Sequence, residues 1–180
     1  MKGMVFTEFM DMVESRWSLD MVDAIIARSG VASGGAYTAV ATYPHEELVA
    51  LVQALSQESQ LAIPDLIRAY GHHLFGRFVQ LYPRFFQEIR GSFHFLAGIE
   101  DIIHAEVRKL YPDAELPTFV VEQSPGLLVL TYYSDHPFAD LAHGLIEGCV
   151  NHFGDDVSVI RDAVGDLKGA QARFILEAKD

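Results

Sequence analysis

The chain has 180 residues, 50% of them apolar, and its 25 acidic against 13 basic side chains give a formal charge of −12. This composition excludes a disordered chain and supports a sizeable core, while the negative charge argues against nucleic acid or an anionic membrane as partner. The single cysteine, Cys149, excludes an intrachain disulfide and a multi-cysteine zinc site and fits a reducing compartment.

At the N-terminus, Glu8 and Asp11 interrupt the apolar run that a signal peptide needs, and no stretch approaches the roughly 20 apolar residues that span a bilayer, so a soluble, cytoplasmic protein is expected. Val5, Phe9, Met12 and Val13 recur at helical steps. After a break at Ser18-Leu19-Asp20 the pattern resumes with Val22, Ile25 and Ile26, which predicts two helices between residues 4 and 27. Ser29-Gly30 and Ser33-Gly34-Gly35 predict a loop, and Tyr43-Pro44-His45-Glu46-Glu47 opens a third helix with Leu48, Leu51, Val52 and Leu55 as its buried stripe. Ile63-Pro64-Asp65 starts a fourth, running through Leu66, Tyr70 and Leu74 toward Phe78 and ending at Pro83. From Ser92 to Leu110 the spacing predicts one long helix with Leu96, Ile99, Ile103 and Val107 on its stripe and His104 at the margin.

The period then changes. Thr118 to Gln123 and Leu127 to Tyr133 read as strands joined by Ser124-Pro125-Gly126, Phe138 to Phe153 as a helix, and Val157 to Ile160 and Ala172 to Leu176 as strands joined around Gly165-Asp166. Helices first, then strands with one helix set between them, predict an α+β fold with an antiparallel sheet. The expected organisation is one domain over residues 1–180, with a helical N-terminal subdomain (1–62), a helix-plus-sheet C-terminal subdomain (63–180) and a pocket between them.

His104 is the first candidate for chemistry. A neutral imidazole is the usual haem iron ligand where the opposite side must stay open for a gas, although a lone histidine at an apolar margin is more often a half-buried polar side chain. If the chain stays extended from Tyr132 through Ser134 to His136, those side chains project from one face at about 7 Å intervals and can satisfy two carboxylates. A solvent-facing strand edge is the alternative. His45, His94, His143 and His152 lack metal-ligand spacing and read as ordinary polar positions, and Glu46-Glu47 and Asp155-Asp156 as solvated acidic turns.

Met1-Lys2-Gly3, His104 with Pro117, Tyr132-x-Ser134-x-His136 and Gly144-Leu145-Ile146-Glu147-Gly148 together make the chain resemble the H-NOX family of haem nitric-oxide/oxygen-binding domains over its whole length. The resemblance implies haem b (iron protoporphyrin IX) as cofactor, His104 as proximal iron ligand, and Pro117 pressing on the porphyrin. It also implies Tyr132 and Ser134 on the propionates, with His136 standing where the family's motif has arginine. Histidine lacks arginine's permanent, forked charge, so haem retention is expected to be weaker or pH-dependent.

By the same resemblance Val5, Phe9, Leu74, Phe78, Leu141 and Leu145 surround the open iron position, and members that hold oxygen have a tyrosine where this chain has Leu141. An apolar wall favours nitric oxide or carbon monoxide; a shift in register would bring His72 or His73 toward it. The implied function is a non-enzymatic gas sensor signalling to a separate histidine kinase or cyclic-di-GMP enzyme. The alternative is a haem-free relative that binds another ligand or a protein partner.

Overall fold

Ser18 decides where the first two helices divide: its hydroxyl accepts the Met21 amide at 3.1 Å, capping α2 (Leu19–Ser29) directly after α1 (Gly3–Arg16). The computed structural model describes residues 1–162, 164 and 170–179. Helix α3 (His45–Ser59) comes after Pro44, and α4 (Ile63–Leu81) carries Pro64 in its first turn, where a missing amide hydrogen costs nothing. The apolar stripes of these helices meet in one cluster containing Phe6, Phe9, Met12, Ile25, Leu51, Leu55, Leu66 and Tyr70.

The long helix expected over residues 92–110 is divided into three. Helix α5 (Ser92–Ala97) stops at Gly98, a π-helical segment covers Ile99–His104, and α6 covers Ala105–Leu110. Glycine weakens the ladder at Gly98, and the wider π turn shifts the angular register of the residues C-terminal to it. His104, placed at the stripe's margin by α-helical spacing, is only 7% exposed.

The α+β class holds. Strands β1 (Thr118–Ser124), β2 (Leu127–Tyr133), β3 (Val157–Asp162) and β4 (Ala170–Ala178) form an antiparallel sheet in the order β1-β2-β4-β3. The turn expected at Gly165-Asp166 lies outside the described residues. Register aligns Phe119 with Tyr132, Leu130 with Phe174 and Leu128 with Leu176, so period-two alternation gathers one row of side chains against α7 (Ala139–Phe153). Leu128, Leu130, Phe174 and Leu176 are fully buried there, each contributing roughly 2 kcal/mol.

Helix α7 meets α4 almost backbone to backbone. A Cβ on Gly144 would lie 2.0 Å from the Arg68 carbonyl oxygen, and one on Gly71 would lie 2.5 Å from that of Leu141. Outside this seam, the Arg68 guanidinium donates to both oxygens of Glu147, and His72 Nε2 lies 2.9 Å from the same carboxylate. Burial raises the Glu147 pKa, but the hydrogen bonds from Arg68 and His72 outweigh it and hold the carboxyl below its usual range. A depressed carboxylate stabilises the fold above its unfolded pKa, about 4.3, and that stability is lost as pH falls through the lower folded value. Thermal melts are therefore expected to show an acid-induced drop that Glu147→Gln flattens, with the variant less stable at neutral pH.

Neither acidic turn is merely solvated. Glu47 is buried and accepts from the Ser33 and Tyr37 hydroxyls at 2.5 and 2.7 Å, and Asp155 accepts the Ser92 amide at 2.6 Å. No described helix is long and apolar enough to cross a membrane.

Candidate functional site

His104 ends the π segment with its Nδ1 3.1 Å from Glu100 Oε1, and that same oxygen accepts the Phe119 amide at 2.8 Å. Arg108 stands 3.7 Å from the other Glu100 oxygen. Burial pushes the His104 pKa down and Glu100 only partly opposes it, which favours the neutral imidazole that a metal requires. A carboxylate on Nδ1 is the pattern by which metal-ligating histidines are oriented through their other ring nitrogen. Sequence reading missed Glu100; its signal was the four-residue spacing to His104. Pro117 is half-buried directly before β1, next but one to Phe119, whose ring centroid is 6.2 Å from that of His104.

Phe119 in turn packs 5.3 Å from Tyr132. Tyr132 is buried, and burial raises its pKa while a hydrogen bond with Ser134 partly offsets this. The predicted extension to His136 does not hold, because the strand ends at Tyr133, next to a register irregularity against β4. Ser134 Oγ accepts the His136 amide at 3.0 Å and turns the chain, as short hydroxyl side chains do ahead of Pro137. The polar groups still share one region. His136 points Nε2 at Glu115 Oε2, 3.0 Å away, and its Nδ1 is buried with no hydrogen-bond partner among the described residues. The His45 ring lies 4.1 Å from that of His136.

Phe138, 6.4 Å from His136, links this edge to the apolar wall. Phe9, Leu74 and Leu141 are buried in the core cluster that contains Phe6 and Leu51, with Val5, Phe78 and Leu145 packed against it. His72 and His73 face carboxylates, His73 at 3.7 Å from Glu8. One donor escaped the sequence reading: Tyr70, fully buried and edge-on to Phe9, gives its hydroxyl hydrogen to the Val5 carbonyl. A cleft of about 440 Å³ beside Arg68, His72 and Glu147 is separate from this assembly, and its charged groups already bind one another.

The residues fit a haem: a buried imidazole held through Nδ1 by a carboxylate, a cluster of apolar side chains, and polar side chains at its edge, one with a buried nitrogen that has no partner among the described residues. The family model described as Haem-NO-binding matches residues 2–161. The chain belongs to the haem-NO-binding, or H-NOX, family. H-NOX domains bind haem and act as gas sensors rather than enzymes.

The solved H-NOX protein of K. algicida in its Fe(II) unliganded state is 38% identical, with a TM-score of 0.91 over 100% of this chain and 97% of that one. The H-NOX of Shewanella woodyi, bound to IWP-051 in the Fe(II)CO state, is 34% identical, with a TM-score of 0.85 over 99% and 95%. That of S. oneidensis in the Fe(II)NO state is 25% identical, with a TM-score of 0.90 over 100% of both chains. A search of curated proteins finds no match.

Proposed function

We propose that this chain is a haem b sensor of diatomic gases that favours nitric oxide over oxygen. Its output would pass to a separate effector, a histidine kinase or a cyclic-di-GMP enzyme. The observation that carries the reading is His104, buried and held through Nδ1 by Glu100, which leaves Nε2 to ligate iron. His104 would hold the haem, whose iron would supply the gas-binding chemistry.

The chain's residues do the rest. Val5, Phe9, Leu74, Phe78, Leu141 and Leu145 keep water from the bound gas. Tyr70, the phenol beside them, is occupied by the Val5 carbonyl. Bound oxygen is polarised and gains from a donor, whereas nitric oxide does not need one, so this wall supports the preference.

Glu100 supplies the transmission. It holds both His104 and the Phe119 amide, so displacement of the π segment pulls on the start of the hairpin beside Pro117.

Leu141→Tyr tests the gas preference. A phenol on the wall adds about 1.5 kcal/mol of hydrogen bonding, roughly tenfold in oxygen affinity. The reduced variant should show a reversible spectral change in air, while the unsubstituted protein changes with nitric oxide and not with air. Equal oxygen response in both would contradict the proposed preference.

A further inference from the structure

We propose that His45 is a second carboxylate-binding residue of the cofactor site, forming with His136 a two-imidazole clamp that takes the place of one guanidinium, with Glu115 on the Nε2 side of His136 as its competing carboxylate. The inference rests on the haem reading of the site.

His45 is the first residue of α3 and His136 lies in the turn before α7, so only the fold brings them together, with ring centroids 4.1 Å apart. Both rings flank Phe138, at 6.1 and 6.4 Å, and through it adjoin the apolar cluster. The buried Nδ1 of His136 has no partner among the described residues, a costly state for a polar nitrogen that an incoming carboxylate would relieve.

The groups facing the pair define its charge. Glu115, mostly exposed on the segment before β1, takes His136 Nε2 at 3.0 Å, and Glu46 lies 3.3 Å from His45 Nδ1. The N-terminal ammonium of Met1 donates to the Tyr43 carbonyl at 2.9 Å, and its charge, like those of His136 and His45, is felt at Glu115. The Tyr132 and Ser134 hydroxyls complete the polar edge.

The hydrogen bond from His136 is the largest cause holding the Glu115 carboxyl below its usual range, so this side chain is a ready counter-ion for the clamp. Two imidazoles this close, tilted 39° to one another, repel when both are protonated, and the carboxylates of a porphyrin remove that repulsion. An arginine would keep its charge at every pH; a histidine gains or loses it between about pH 5 and 8.

Iron-free protoporphyrin IX is the probe, because it carries both propionates and forms no bond to His104. Binding is read by porphyrin fluorescence at about pH 6 and about pH 8.5, either side of the range where imidazoles titrate. Circular dichroism and thermal melts confirm that each variant is folded.

The unsubstituted chain should bind about tenfold more tightly at the lower pH, the value of one charge-assisted hydrogen bond. His45→Gln should lose most of that gain, His136→Arg should bind tightly with little pH dependence, and Glu115→Gln should bind more tightly than the unsubstituted chain. Porphyrin binding that is independent of pH, or identical in His45→Gln, overturns the clamp and leaves the haem reading standing. No porphyrin uptake by the unsubstituted chain overturns both.

Discussion

His104→Gly is expected to abolish the five-coordinate ferrous spectrum and to leave the fold intact. The substitution removes the ring proposed as the iron ligand, while Glu100 keeps its hydrogen bond to the Phe119 amide and so still anchors the hairpin. Free imidazole should enter the space left behind and restore the spectrum without restoring the link to the π segment. Glu100→Gln is the graded companion: loss of an orienting carboxylate typically costs about 10- to 100-fold in metal affinity. Absorption titrations with haem, with and without imidazole, check both. An unchanged spectrum in His104→Gly would remove His104 as ligand.

Gly144→Ala is expected to produce a large stability loss for a single added methyl group. The added Cβ would lie 2.0 Å from the Arg68 carbonyl oxygen, which is backbone and cannot rotate away, so α4 and α7 must separate. Overpacking of this severity costs about 3 kcal/mol, or roughly 6–12 °C in Tm for a domain of this size. Separation also carries Leu141 and Leu145, on the same helix, away from Phe9 and Leu74, so gas affinity should change with stability. Gly76→Ala in α4 is the control: its Cβ meets nothing within 4 Å, and the substitution should stabilise by about 0.5–1 kcal/mol. Urea unfolding of the pair distinguishes a steric seam from a general effect of alanine.

Much of this was legible in the residues. Ser18 and Pro64 marked helix starts because capping and the missing proline amide are local matters, and the leucine, β-branched and aromatic run from Leu127 to Tyr133 marked β2 as a strand. His104 and the six apolar positions were singled out through residue type and family resemblance.

The features that escaped depend on contacts that spacing does not encode. Apolar periodicity shows which residues face inward but is blind to a π turn, so the division at Gly98 and the burial of His104 were not visible. The end of β2 at Tyr133 comes from a side-chain bond between Ser134 and the His136 amide, a competition that β propensity does not weigh. Glu47 looked like a solvated charge because its partners Ser33 and Tyr37 lie on a loop that folds back over α3. His45 looked ordinary because its neighbour His136 is distant in the chain.

The central claim is an iron held from one side by His104 Nε2, with an apolar, open position on the other. The absorption spectrum of the anaerobically reduced, haem-loaded protein, recorded before and after nitric oxide, tests it most directly. The account predicts the Soret band of five-coordinate ferrous haem, shifting on addition of nitric oxide. A protein that takes up no haem, or one whose reduced band is six-coordinate and unmoved by nitric oxide, would contradict it.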